Sequence, residues 1–421
     1  MPQLSGLTGK RRAIIVVVDG CGIGAAPDAQ AFGDAPSCNT LANIASAMGG
    51  LKLPVLSSLG LGNIIPIAGL ADSSEPVGMF GKLKECSCAK DTQSGHWEMM
   101  GVVNTVAFPM YPDGFPPDII ARFIAGTDCK GILCNKPASG TAIIEQFGEV
   151  HQKTGYPIVY TSGDSVLQIA CHVDTVPLTT LYEWCETARR IMQGPHRVGR
   201  IIARPFAGEP KNYRRLSMER RDFGVKPPAP TFMDELVSAG AGVLGIGKIE
   251  DIFDGQGLSH AQHTGSNREG LELTLKAIEG KFDLKGHSIV EEAPDAVQLI
   301  FTNLVDTDML FGHRRNVEGY ANALTEIDRG IGEIMEALNP DDLLIISSDH
   351  GNDPTAPGTD HTREFVPLLA YSKTLARAGS FEHNIGTRDG FSDMAASLAT
   401  WLGLTWKGPG LSFIPQLSKV S

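Results

Sequence analysis

The sequence predicts an α/β fold built on a mostly parallel central sheet flanked by helices. Short apolar runs end in polar or charged residues, strand and helix patterns alternate late in the chain, and 421 residues exceed what one small core accommodates, so two or three domains are expected. The first run, "AIIVVVDG" from Ala13, is apolar without alternation, as a strand buried on both faces must be. The preceding "GKRR" resembles the basic end of a signal peptide, but the apolar run is short and ends at Asp19, so it reads as a buried strand. "GVLGIGKI", "VQLIFTNLVDTD" and "DLLIISSDHGND" follow the same rule. Between the last two, "NVEGYANALTEIDRGIGEIMEAL" carries apolar or small residues at helical spacing and is closed by Asn339-Pro340. Strand, helix, strand is the unit of a parallel sheet. Ligands of such sheets gather beyond the carboxyl ends of the strands, which is where Asp19, Asp308 and Asp349 fall.

The middle of the chain has a different texture. It opens with "FPMYPDGFPPDII" and closes with "VKPPAPTF", two proline-rich passages that read as linkers. Between them lie the apolar runs "PIVYTSGDSVLQIACHV" and "VGRIIARPF" and a helical "TTLYEWCETARRIM". A discontinuous core from residues 1–107 and 231–421 is therefore expected, with a second domain inserted at 108–230.

Composition narrows the function. Hydrophobic content of 42% and charged content of 20% describe an ordinary soluble protein. A net charge of -12 argues against nucleic acid as a partner and leaves room for bound cations. No segment approaches the roughly 20 apolar residues of a membrane span. The eight cysteines form no CxxC pair and read as reduced thiols of a cytoplasmic protein. No coiled coil or apolar stripe marks an oligomer interface.

Asp19, followed by glycines, could approach a metal or a phosphate without obstruction. "DTDMLFGHRRN" and "SSDHGNDPTAPGTDHTRE" add Asp306, Asp308, His313, Asp349, His350, Asp360 and His361. Carboxylates and imidazoles without thiolates suit Mn²⁺, Zn²⁺ or Fe²⁺, and the set is large enough for two ions. Two ions about 3.5 to 4 Å apart clamp the attacking and leaving oxygens of phosphoryl transfer. "KDTQSGHWEMMG" places Thr92 after Asp91 at the entry to a helix, where it either caps that helix or does chemistry. A capping box would need Glu or Gln at Gly95. The ligands elsewhere favour chemistry, because metal coordination activates a hydroxyl. His96 and Trp97 read as packing that fixes the loop.

These motifs, with "DGCGIGAAPDA", "YPDGFP", "KPASGTAII", "YTSGDSVLQIA", "GRIIARPF" and "GIGKIEDIF", are similar to those of the prokaryotic, metal-dependent phosphopentomutase family of the alkaline phosphatase superfamily. The resemblance runs through nearly the whole chain. It implies an alkaline-phosphatase-like core with an α+β cap at 108–230 that closes over a pentose phosphate substrate. One metal is then held by Asp308, His313 and His361, the other by Asp19, Asp349 and His350. Thr92 is the phosphorylated residue, Mn²⁺ the preferred ion, and a sugar bisphosphate the activator. Substrate contacts fall on Ser162, Asp164, Arg204 and Lys248. The segment "KNYRRLSMERRDFGVKPP" departs from the family pattern at Glu219, leaving open which of Arg214, Arg215, Arg220 and Arg221 meets the distal phosphate. The implied activity interconverts α-D-ribose 1-phosphate and D-ribose 5-phosphate, and the deoxyribose pair, through a 1,5-bisphosphate. The main alternative is a metal-dependent phosphatase or phosphodiesterase of the same superfamily. A cofactor-independent phosphoglycerate mutase would carry Ser at the nucleophile position, and a metal-stabilised binding protein would have no use for the nucleophile.

Overall fold

The computed structural model describes residues 11–162, 165–378 and 382–414. In chain order the strands are β1 (Arg12–Val18), β2 (Met79–Leu83), β3 (Leu133–Pro137), β4 (Ile158–Thr161), β5 (Val166–His172), β6 (Arg200–Ala207) and β7 (Arg214–Arg215). They continue as β8 (Arg221–Phe223), β9 (Gly242–Ile246), β10 (His260–Gln262), β11 (Val297–Leu304), β12 (Asp342–Ser347), β13 (Val366–Tyr371) and β14 (Asn384–Arg388). The described residues fall into two compact units, one running to Val106 and resuming at Lys226, the other spanning Ala107–Val225.

The core unit holds an eight-stranded sheet in the order β10-β9-β11-β1-β12-β13-β2-β14. Its pairings are parallel except those of β13, which is antiparallel to both β12 and β2. The uninterrupted apolar run of β1 is explained by its place between β11 and β12. Ile14, Val16 and Val18 pack into one cluster with Tyr320, Leu324, Ile327, Ile331 and Ile334 of the helix Val317–Ala337. Arg12, which resembled part of a signal sequence, grips Asp342 with Nη2 at 2.6 Å. Register places the site: Val17 lies opposite Asn303 on one side and Ser347 on the other. Three adjacent parallel strands therefore release Asp19, the Asp306–Asp308 segment and Asp349 at one edge of the sheet.

The inserted unit has its own six-stranded sheet, ordered β3-β4-β5-β6-β7 with β8 also paired to β6. Ile119 and Phe123 of the helix Pro117–Thr127 and Leu181 and Cys185 of the helix Leu178–Ile191 join one hydrophobic cluster. Ile143 and Ile144 of the helix Gly140–Thr154 form another with Tyr160 and Phe206. The passage "FPMYPDGFPPDII" is more than a linker. Pro117 opens a helix, where its fixed φ and missing N–H suit the first turn, and Tyr111 and Phe115 are buried in the unit's core. Burial of these two aromatics outweighs the flexibility that the composition suggested.

Candidate metal centre and nucleophile

Thr92 begins the helix Thr92–Met99 but does not cap it. Asp91 is the N-cap, accepting from Ser94 N at 2.9 Å, and it also accepts from Ser94 Oγ at 3.2 Å. The Thr92 hydroxyl is thereby spared for another partner, and its Oγ1 stands 3.1 Å from His350 Nε2. With Asp91 as the cap, Ser94 and not Gly95 occupies the capping-box position; Gly95 instead lets the helix pass close to the Asp349 backbone. A Cβ there would collide with the Asp349 carbonyl oxygen.

Around His350 two groups of side chains converge. One contains Asp19, Asp349 and His350, the other Asp308, His350 and His361, so His350 is within reach of both. His313 lies beside the second group, its Nε2 3.3 Å from Asp308 Oδ2 and 3.1 Å from His361 Nε2. Each carboxylate has one oxygen held by a protein donor. Asn303 Nδ2 donates to Asp19 Oδ2 at 2.9 Å, Gly20 N to Asp349 Oδ1 at 3.1 Å, and Asn352 Nδ2 to Asp308 Oδ1 at 2.7 Å. The other oxygens of Asp19 and Asp349 are buried without a hydrogen bond and stand 3.4 and 3.3 Å from His350 Nε2.

The imidazoles are held just as specifically. Nδ1 of His313, His350 and His361 donates to the carbonyls of Thr359 (2.6 Å), Gly351 (3.1 Å) and Lys90 (2.9 Å) respectively. With Nδ1 donating in each ring, Nε2 is the nitrogen that could coordinate a metal. The Nε2 atoms of His313 and His361 face each other at 3.1 Å, an approach of two lone pairs that a cation between them would relieve. Buried oxygens without donors and opposed imidazole nitrogens fit divalent metal ions.

The electrostatics point the same way. Burial and the neighbouring Asp349 push the Asp19 carboxyl up. Burial would also raise Asp308, yet His361 and His313 hold it well below the usual carboxylate range. Against its own burial, His350 is drawn well above its ordinary value by Asp349 and Asp19. A cluster that draws charge onto a buried imidazole is short of cations.

Asp306 and Asp360, which spacing could not separate from the ligands, stand elsewhere. Asp306 accepts from Asn267 N at 2.7 Å, and the largely exposed Asp360 lies 3.6 Å from Lys90 Nζ. Lys248 precedes the short helix Ile249–Phe253, with Nζ 3.9 Å from the Met309 sulfur, one residue beyond Asp308.

The model of the metalloenzyme superfamily matches residues 11–405. A phosphopentomutase of Caldanaerobacter subterraneus subsp. tengcongensis is 49% identical over 409 residues, covering 97% of this chain and 98% of its own length. That of Carboxydothermus hydrogenoformans is 48% identical over 409 residues, covering 97% and 100%. The chain belongs to the phosphopentomutase family. As a family of mutases, phosphopentomutases are isomerases, and this chain is one. Among solved structures, the PH0037 protein of Pyrococcus horikoshii aligns with 95% of this chain and 100% of its own at 14% identity and a TM-score of 0.47.

In the inserted unit of this phosphopentomutase-family chain, Ser162 directly follows β4, while Asp164 lies outside the described residues. Arg204 sits within β6, and its Nε donates to the neutral Gln168 Oε1 at 2.5 Å. Burial lowers its pKa, Tyr160 opposes that, and Arg220 and Arg215 lower it further. Among the described residues Tyr160 Oη is buried without a hydrogen bond. It lies at the amino terminus of the helix Gly140–Thr154: a Cβ on Gly140 would stand 2.8 Å from Tyr160 Oη and 3.7 Å from an Arg215 Nη.

Several residues that organise the centre carry no motif signal. Asn303, within β11, and Asn352, beyond β12, are ordinary polar residues, and His96 reads locally as packing. Arg363 is buried and donates to Glu85, to Asp28 and to the carbonyls of Glu85, Ser87 and Ala89, fixing the chain that leads to Thr92. The "REF" that contains it gives no local hint of this.

Proposed function

We propose that the chain interconverts α-D-ribose 1-phosphate and D-ribose 5-phosphate, and the 2-deoxyribose pair, through phospho-Thr92 and a 1,5-bisphosphate. The observation that carries this reading is the Thr92 hydroxyl, released from capping by Asp91 and set 3.1 Å from the Nε2 of His350, to which both ligand groups reach. Two divalent ions, Mn²⁺ by family preference, would be held by Asp308, His313 and His361 and by Asp19, Asp349 and His350. They would supply Lewis-acid stabilisation of charge on the transferring phosphoryl group and on the threonine oxygen.

The protein's own groups do the rest. Asn303, Gly20 and Asn352 hold the carboxylates in place, so little reorganisation accompanies the reaction. Thr92 lies in the first turn of its helix, where unpaired N–H groups favour an anion. In the forward half-reaction the bond from phosphorus to Thr92 Oγ1 breaks as one to a sugar oxygen forms, and the proton of the sugar hydroxyl ends on Thr92 Oγ1, restoring its hydroxyl. The second half-reaction reverses these roles at the other end of the bisphosphate. A sugar bisphosphate would prime the unphosphorylated enzyme in the same way.

The inserted unit is read as the cap, with substrate contacts from Ser162, Asp164 and Arg204, and from Lys248 of the core. Of the four arginines in 214–221, Arg215 is assigned to phosphate. Arg220 is engaged with Asp222 at 2.7 Å, Arg221 stacks over Tyr182 at 4.3 Å, and Arg214 alternates to the opposite face of its strand. Arg215 instead lies beside the helix amino terminus and the Tyr160 hydroxyl. No described helix is long and apolar enough to cross a membrane, and the eight free cysteines suit a reducing cytoplasm.

The test is an assay of purified protein with ribose 1-phosphate, Mn²⁺ and a trace of sugar bisphosphate. Ribose 5-phosphate is the expected product. Accumulation of inorganic phosphate would overturn the mutase in favour of a phosphatase.

A further inference from the structure

We propose that His96 is a positioning residue that aligns the nucleophile's helix with the Asp19–Asp349 pair through the proton on its Nδ1. The inference rests on the reading of Thr92 and the ligand groups given above.

His96 is completely buried at 0% exposure. It lies one helical turn beyond Thr92, and its ring leans back toward the helix start, as helical side chains do. There Nδ1 is 2.8 Å from the Thr92 carbonyl oxygen and 3.3 Å from Asp349 Oδ2, a buried carboxylate oxygen that, like Asp19 Oδ1, lacks a hydrogen bond. Nε2 lies 3.3 Å from Asn303 Nδ2, the atom that also donates to Asp19 Oδ2 at 2.9 Å.

The tautomer follows from these contacts. Turning the Asn303 amide over would set its oxygen against the Asp19 carboxylate, so its nitrogen faces both Asp19 and His96. An amide nitrogen only donates, so Nε2 accepts and the ring proton sits on Nδ1. That proton points between the Thr92 backbone and Asp349, while the Asn303 bridge ties the same ring to Asp19. Gly95, the preceding residue, admits the helix against the Asp349 backbone. Gly95 and His96 therefore act together, the first by allowing the approach and the second by fixing it.

A ring that only filled space would need shape and no donor. His96 packs beside Phe301 with centroids 5.7 Å apart, so His96→Phe would serve that role, whereas His96→Asn keeps a donor near the position of Nδ1 and loses the ring. Chelator-stripped protein is titrated with Mn²⁺ by calorimetry. His96→Phe is expected to weaken one of two binding events by about 10- to 100-fold, and His96→Asn to restore much of that affinity. In turnover, kcat should follow the same order while KM for the pentose phosphate stays unchanged. Wild-type affinity in His96→Phe at both events, or better recovery by Phe than by Asn, would overturn the proposal. Nitrogen-15 NMR of the wild-type protein decides the matter even if both variants misfold. A proton on Nδ1 of His96 is expected, and one on Nε2 alone would overturn the assignment. Metal binding that responds as expected in a protein without mutase activity would defeat the mutase reading and leave the role of His96 standing.

Discussion

The two units gather opposite charges at their candidate sites. The core gathers three buried carboxylates, Asp19, Asp308 and Asp349, whose ion-pair partners among the described residues are histidines. The inserted unit gathers Arg204, Arg215 and Arg220 around an unbonded tyrosine hydroxyl. Two other buried carboxylates of the core are met by the protein itself: Glu85 by Arg363 at 2.6 Å, both 2% exposed, and Glu364 by the Thr40 and Thr362 hydroxyls at 2.7 Å. The Asp19 and Asp349 oxygens that have neither a fixed cation nor a hydrogen bond mark a place where a ligand supplies the counter-charge, because burying unbalanced charge is costly.

The largest expected effect breaks the core side of this contrast. Thr92→Ala should lower mutase turnover by about ten-thousand-fold or more while the protein still takes up two equivalents of Mn²⁺. Substantial turnover in that variant would remove Thr92 from the chemistry. Next, Asp349→Asn removes half of the charge in the Asp19–Asp349 pair. One Mn²⁺ equivalent should bind more than about 100-fold more weakly, the other unchanged, and metal analysis after dialysis measures both.

On the inserted side, Arg215→Ala should raise KM for ribose 5-phosphate by roughly 10- to 100-fold, the value of a hydrogen bond to a charged group. Metal content should stay intact, and steady-state kinetics at constant Mn²⁺ would reveal an unchanged KM if Arg215 were only a surface charge.

The smallest effect concerns how the two units use buried imidazoles. At the core's candidate metal centre these rings sit against carboxylates, whereas in the inserted unit His151 is tied at both nitrogens, donating to Tyr156 O at 2.7 Å and accepting from His172 N at 2.8 Å. Burial lowers its pKa below the ordinary 6.5, so the native protein binds fewer protons there than the unfolded chain. Its stabilising contribution is full above that value and is lost as pH falls through the depressed folded value, by up to about 1.4 kcal/mol per pH unit. Thermal melting between about pH 8 and pH 5 should therefore show a steeper acid loss in wild type than in His151→Gln.

Much of the centre was legible in the chain because parallel strands advertise themselves. Uninterrupted apolar runs ending in Asp19, Asp308 and Asp349 announce both the sheet and the edge at which ligands collect. The histidines that complete the set follow within a few residues of those ends or in the adjacent loop. Residue type and local period therefore sufficed for the α/β class, the candidate ligands and Thr92 as the nucleophile to test.

Tertiary structure decided what local period cannot carry. It chose Asp91 over Thr92 as the helix cap and set His350 within reach of both ligand groups. It made Gly95 a point of contact with Asp349, a residue more than two hundred positions away. Asn303, His96 and Arg363 were silent in the sequence for the same reason. Their roles are defined by hydrogen bonds to residues far away in the chain, His96 and Asn303 across the strand order β11-β1-β12 and Arg363 to Asp28, Glu85 and the carbonyls of Ser87 and Ala89, which no short stretch of chain encodes.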